Sequence, residues 1–466
     1  MFIRHTFILL ILLSIPKIFF AQEDNFTIEE LICKESHRYD ASAKLKADQY
    51  KLNGNEDFDM NYYRFEWNVN PTQYYISGTA TCYFFTRKSN MQTLVFDLST
   101  SLTIDSISYH NSNLVYTQSG NYGLSIQLPN SLPIDVLDSI SITYHGTPPS
   151  NGFGSFTRTT HSGAPILWTL SEPFGSQDWW PCKNGLTDKI DSIDVYIKTP
   201  SRYKAASNGL LVNQSNVDTN TIYHWKHRYE IVPYLVAIAV TNYAAYNDTV
   251  HLSNGITMPM VNYVYPESLN NAKIGTKDLV KVLEFFDSLF VNYGFANEKY
   301  GHAQFSWGGG MEHQTMSFVT DFSWGLLAHE LGHQWFGDLV TCASWEDIWL
   351  NEGWATYLEG LSRQRFKSKG DWTSWKTSNR STATSSTSGS VKVDDTTSVN
   401  RIFSSQLSYS KGAYLLHMLR WKLGDQSFFQ ATRNYLNENK YSFAKTPNFK
   451  AHLETESSLD LSEFFR

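Results

Sequence analysis

The sequence predicts a multidomain chain, an all-β N-terminal domain followed by a mainly helical one, and three observations predict it. From about Tyr62 to Tyr246 the text is a series of short β-rich runs, YYRFEWNV, TATCYFFT, TLVFDL, SISITYH, IDVYIKT and YLVAIAV, separated by Asn, Gly, Pro and Ser. After about Val250 the period changes, and in TKDLVKVLEFFDSLFVNYGF the residues Leu279, Val282, Leu283 and Phe286 recur at helical spacing. At 466 residues, 41% hydrophobic and 15% aromatic, the chain has material for large packed cores.

The elements follow in order. Residues 1–21 place Arg4 before an apolar run from about Phe7 to Phe20 that ends at Ala21, the order of a secretory signal peptide cleaved after Ala21. An uncleaved anchor is the competing reading, but the run is short and is broken by Ser14, Pro16 and Lys17. No later segment is apolar for long enough to span a bilayer. The expected location is therefore outside the cytoplasm, secreted or at the periplasm or cell surface. Residues 22–249 are assigned to the β domain and residues 250–466 to the helical domain. Within the latter, residues 381–399 are rich in Ser and Thr without a helical period and read as a solvated loop.

Charge and cysteine content narrow the class. With 38 Lys and Arg against 45 Asp and Glu the net charge is −7, and no basic block tracks a phosphate backbone, so nucleic acid is excluded as a partner. Cys33, Cys82, Cys182 and Cys342 lack the spacing of a zinc knuckle or redox pair; they are either disulfide partners in an exported chain or buried thiols. Asn25, Asn213, Asn247 and Asn379 open glycosylation sequons.

Chemistry concentrates in HELGHQWFGD, residues 329–338. On a helix His329 and His333 share one face, close enough to hold one ion, with Glu330 placed to meet a water beside it. A catalytic zinc takes three protein ligands and leaves the fourth position open. Glu352, in DIWLNEGWATYLEG and separated from His333 by eighteen residues, supplies the third. His-Glu-x-x-His alone arises by chance in about two of a hundred chains of this length, and a glutamate at one fixed later position lowers that to about one in a thousand. One zinc ion per chain is the expected cofactor. Gly332 and Gly337 are read as lying inside the helix, where each costs on the order of 1 kcal/mol relative to alanine and implies a close approach. Asp338, Glu346 and Asp347 are candidates to orient the histidines from behind.

These residues resemble the zinc aminopeptidases of the aminopeptidase N and leukotriene hydrolase type, the gluzincin metallopeptidases. HELGHQWFGD followed by WEDIWLNEGWATYLEG carries the likeness. SWGGGMEHQTMSF (306–318) is similar to the family's Gly-x-Met-Glu-Asn exopeptidase motif, SYSKGAYLLHML (408–419) to its tyrosine-bearing helix, and SEPFGSQDWWPC (171–182) to the β-domain segment that reaches the active site. With looser likeness in YYRFEWNVNP and LVFDL, it covers most of residues 60–466. The resemblance implies a saddle-like β domain before a thermolysin-like catalytic domain. It implies His329, His333 and Glu352 as zinc ligands, Glu330 as general base and Tyr409 as oxyanion stabiliser. Glu312 and Glu172 would anchor the free amine of a peptide, with Gly309, Gly310 and Met311 beside it.

Three departures stand out. His313 replaces the motif's asparagine, Glu172 stands where several relatives have glutamine, and the chain stops where family members continue with further domains. The implied activity is removal of N-terminal residues from peptides. A thermolysin-like endopeptidase is one alternative, against which the GGGMEH stretch speaks. A non-catalytic peptide-binding surface protein is the other, and it gives no chemical reason to keep Glu330, His329, His333, Glu352 and Tyr409 together.

Overall fold

Alternation along the strand Phe58–Val69 builds the first domain. Phe58 and Met60 face inward, and so do Tyr63, Phe65, Trp67 and Val69. The change of parity is made by a β-bulge between Met60 and Tyr62, one extra residue that turns the rest of the strand over. In this computed structural model, which describes residues 56–150 and 155–466, that strand lies inside an eight-stranded sheet. It runs antiparallel to Ile76–Thr86 and parallel to Ser192–Pro200. Sheets of three and four strands accompany it. The expected signal peptide, Cys33 and Asn25 lie outside the described residues.

The inward aromatics seat the segment that matters for function. Tyr63, Phe65 and Trp67 stack along the strand with ring centroids 4.9 and 4.4 Å apart. Trp180 meets Phe65 edge-on at 4.9 Å and Trp179 meets Trp67 at 4.8 Å. Such pairs favour tilted or edge-on contact, and truncating one of these buried rings to alanine costs about 3–5 kcal/mol. Trp179 Nε1 donates to Ser171 Oγ at 2.9 Å, and Asp97 and Cys182 exchange backbone hydrogen bonds of 2.7 and 3.0 Å. Residues 171–182 are consequently buried throughout.

The last β run divides. Pro233–Leu235 forms a 3-10 turn because proline fixes its first residue, and only Ile238–Thr241 is strand. The strand Ala244–His251, which spans the boundary expected at 249/250, pairs with Thr257–Val264 in a five-stranded sheet of the second domain. That sheet continues through Tyr300–Gln304 and Ser317–Val319 to an edge strand, Gly310–Met311. Helix α1 (Leu269–Leu289) connects the parallel pair Thr257–Val264 and Tyr300–Gln304.

Four of the helices that follow frame the site, α2 (Trp324–His333), α3 (Trp349–Phe366), α4 (Lys369–Ala383) and α5 (Gly412–Asn439), the last entered through a π-helical turn, Ser405–Lys411; the short helix Val399–Ile402 and the helix Thr446–Ser457 accompany them. A Cβ on Gly332 would lie 3.2 Å from Ala355 Cα, so glycine sets how closely α2 and α3 approach. Gly353 and Gly412 do the same for α3 and α5, where a Cβ on either would stand 3.0 Å from the other's backbone.

One hydrophobic core fills the β domain and runs on to Phe305, Met311, Phe318, Trp345 and Tyr409; a second lies among the helices. The loop expected over 381–399 is narrower, since α4 runs to Ala383 and a short helix begins at Val399; within it Val393 is buried and Arg401 grips the carbonyls of Ser390 and Lys392 at 2.8 and 2.7 Å. Cys82, Cys182 and Cys342 are buried free thiols. Asn379 is buried on α4 with its amide donating to Trp375 O at 3.0 Å, so that sequon is closed to modification in the folded chain. Among the described residues no helix is long and apolar enough to cross a membrane.

Candidate active site

Helix α2 ends at His333, so the two histidines occupy one face of its last turns. Gly337 lies beyond the helix, not inside it as expected. Its φ of +138° is open to glycine, and a Cβ there would press to 3.3 Å from His333 Nδ1. The reversal brings Phe336 O to 3.1 Å from His333 Nδ1, which donates to it. That carbonyl, rather than Asp338, Glu346 or Asp347, fixes the tautomer of His333 and turns Nε2 toward the site. Asp347 is engaged with Thr446 at 2.6 Å, and Glu346 is half-exposed beside Lys392.

Glu352 sits in the first turn of α3. Its Oε2 is 3.4 Å from His329 Nε2 and 3.3 Å from His333 Nε2, and the two Nε2 atoms are 3.1 Å apart. Tetrahedral zinc with ligands at about 2.0–2.1 Å separates neighbouring donors by roughly 3.3 Å. The three buried groups therefore fit zinc in donor type and in spacing.

The electrostatics agree with a cation at this point. Burial drives His329 downward from its ordinary pKa. Burial acts the same way on His333, but the Glu312 and Glu352 carboxylates outweigh it and raise that imidazole. Glu352, which burial would raise, is held down to about 2 by the same imidazoles.

Glu330, next along α2, projects toward the edge strand. Its Oε1 lies 2.0 Å from where a Cβ of residue 310 would be, so Gly310 is the residue that lets the carboxylate stand against that backbone. A Cβ on Gly309 would meet the Trp307 ring at 2.6 Å. Met311 is buried and pairs with Phe318, and His313 is buried with its ring edge-on to Phe318 at 4.3 Å. From the opposite wall the π-helical turn delivers Tyr409, buried, with its ring 6.0 Å from that of His329 and nearly parallel to it.

Glu172, from the β domain, and Glu312, just after the edge strand, complete the site. With Glu352 they form a buried trio whose carboxylate oxygens lie within 4.8 Å of one another. Glu352 thus belongs both to the metal set and to an acidic pocket beside it. Of the residues expected at the site, His329, His333, Glu352, Glu172 and Glu312 lie together, Gly310 stands against Glu330 and Tyr409 beside His329, while Gly309 and Met311 contact Trp307 and Phe318. Sequence reasoning passed over Gln334, although it directly follows His333: its Nε2 reaches Glu312 O at 3.4 Å and its Oε1 accepts from Thr315 N at 2.9 Å.

Residues 277–466 match the model of the peptidase family M1 domain. The chain is 26% identical over 351 residues to endoplasmic reticulum aminopeptidase 2 of Bos taurus, covering 69% of this chain and 36% of that protein. It is 27% identical over 342 residues to human glutamyl aminopeptidase, covering 66% and 35%. It therefore spans about a third of the length of these curated relatives. A mutant of a two-domain M1 zinc metallopeptidase bound to L-tryptophan shares the fold at a TM-score of 0.79 and 22% identity, covering 89% of this chain and 94% of that one. A mutant M1 zinc metallopeptidase from Deinococcus radiodurans bound to a Tyr-Ser-Ala substrate superposes at 0.77, again at 22% identity, covering 88% and 94%.

Proposed function

We propose, from the match of residues 277–466 to the peptidase family M1 domain and the geometry of the site, that this chain is a zinc-dependent aminopeptidase. One observation carries the reading. The carboxylates of Glu172 and Glu312 stand within 4.8 Å of a carboxylate of the metal set. A buried acidic pocket at that distance suits a group that only the start of a peptide possesses, the free ammonium. The glutamyl and endoplasmic reticulum aminopeptidases among the relatives support it.

His329, His333 and Glu352 would hold zinc, which when bound supplies a Lewis acid and a water that ionises near neutrality. This chain's residues do the rest. Glu312 and Glu172 accept from the ammonium and set the first peptide bond over the ligands. Gly310–Met311, the free edge of its sheet, offers backbone groups to the substrate main chain. Glu330 takes the proton from the attacking water and returns it to the departing amine. The Tyr409 hydroxyl donates to the oxyanion as the carbonyl becomes tetrahedral.

Purified protein should contain about one zinc per chain, the count a three-ligand catalytic site takes, and should lose activity to a chelator. Peptides with a free N-terminus should be trimmed one residue at a time while N-acetylated copies resist. Internal cleavage of acetylated peptides at equal rate would make it a thermolysin-like endopeptidase instead. We also propose export, on the order of residues 1–21; N-terminal sequencing of the mature protein should begin at Gln22.

A further inference from the structure

The turn that follows Glu312 is restrained more heavily than a connection between two short strands requires. Thr315 has a φ of +67°, a left-handed conformation that β-branched residues rarely adopt. Three elements distant in sequence hold it there. Lys299, fully buried just before the strand Tyr300–Gln304, donates from Nζ to Thr315 O at 2.9 Å and Oγ1 at 3.2 Å. Gly209 N, from the β domain, donates to Thr315 Oγ1 at 2.8 Å. Gln334, at the end of the metal-binding helix, accepts from Thr315 N and donates to Glu312 O.

The neighbouring residue is fixed in the same way. Gln314 Nε2 bonds His227 Nε2 at 2.7 Å and Glu230 O at 2.9 Å, while Asn208 Nδ2 donates to Gln314 O at 2.8 Å. His227 is itself anchored to Glu298 at 2.6 Å. A buried lysine is a costly donor for a turn, since its ammonium is desolvated; burial pushes this one down to about 7. Backbone strain of this kind persists where the surroundings over-determine it, and such places cluster at binding sites.

We propose that Lys299, Thr315 and Gln334 form a buried brace that positions the Glu312 carboxylate relative to the metal ligands, so that they act as positioning residues for recognition of the substrate's free amine. The proposal rests on the aminopeptidase reading and deepens it. Gln334 ties the turn to the helix that carries His329 and His333, and Gly209 and Asn208 tie it to the domain that supplies Glu172. The spacing between metal and amine subsite is thereby fixed by polar contacts across both domains.

The test compares two ligands that share a metal-binding head and differ in the amine, leucine hydroxamate and 4-methylpentanohydroxamate, by calorimetry on the zinc-loaded full-length protein. Wild type should bind the amine-bearing ligand at least about tenfold more tightly, the scale of one charge-assisted hydrogen bond. In Thr315→Val, which keeps shape and strain but removes the hydroxyl, and in Lys299→Met, that ratio should fall about fivefold or more, roughly the loss of one such contact. The des-amino ligand should bind as before, and Thr315→Ser should restore the ratio. No ratio in wild type overturns the aminopeptidase reading and the brace with it. A wild-type ratio that survives in both variants overturns the brace alone, and so does equal loss of both ligands, which marks general damage.

Discussion

The two halves of the site are built by different means. The metal half comes from α2 and α3, is joined by a short stretch of chain, and closes through contacts of 3.1 to 3.4 Å among three side chains. The amine half takes Glu172 from one domain and Glu312 from the other, and draws its order from Lys299, Gly209, Asn208 and Gln334. Local helix geometry can present ligands because the four-residue spacing does the alignment. A pocket assembled across domains needs buried polar bonds in its place, and these are costly to leave incomplete. On the proposed function chemistry belongs to the first half and selection to the second, so each should fail in its own way.

The largest effect should come from groups that act on the reacting atoms without holding metal. Glu330→Gln and Tyr409→Phe are expected to lower kcat by at least about a hundredfold, the scale of a general base or an oxyanion donor, with zinc content unchanged by elemental analysis. Loss of zinc in either variant would place that residue in the metal set. Gly310→Ala probes the seam between the halves. Its Cβ would stand 2.0 Å from Glu330 Oε1, so the carboxylate must swing away. A drop in kcat of roughly tenfold is expected, since misplacing a general base forfeits part of its contribution. Zinc should again be retained, and unchanged turnover would show that Glu330 has another productive position.

That contrast explains what was legible in the sequence. His329 and His333 could be found because a helix converts four-residue spacing into proximity, Glu352 because a catalytic zinc needs a third protein ligand, and the β-rich run YYRFEWNV marked most of the strand Phe58–Val69. Glu172 and Glu312 entered only through resemblance, since nothing in their neighbourhoods forecasts that residues so far apart share a pocket. Gly337 was misplaced because a periodic pattern does not show where a helix ends; its positive φ does. The orienting partner of His333 was sought among carboxylates and proved to be the Phe336 carbonyl, a group every residue possesses and no sequence marks. Lys299 lies in no motif, and Thr315, though inside the stretch 306–318, lies beyond the Gly-x-Met-Glu part that carries the likeness. YLVAIAV reads as one strand, yet Pro233 commits its first residues to a turn.

The smallest effect concerns the stability of the amine half, and its sign follows from the buried lysines. Lys299 is pushed down to about 7 and Lys189, whose Nζ donates to Asp338 O at 2.8 Å, to about 8, in both cases by burial, against an ordinary value of 10.5. Between the folded and ordinary values the unfolded chain binds more protons than the folded one, so stability rises with pH across that window. Below pH 7 both states are charged at Lys299 and the cost of burying the ammonium is fully present; above the ordinary value it is gone. One such group contributes at most ~1.4 kcal/mol per pH unit, and a total of about 1 kcal/mol between pH 7 and 9 is expected after the fold relaxes around it. Lys299→Met has no such proton to lose. Urea unfolding of wild type and variant at both pH values should therefore show the stability difference, wild type minus variant, moving in favour of wild type as pH rises. A difference that stays flat would mean that Lys299 keeps its charge in the fold at no cost, and the contrast between a locally ordered metal half and an expensively ordered amine half would lose its energetic basis.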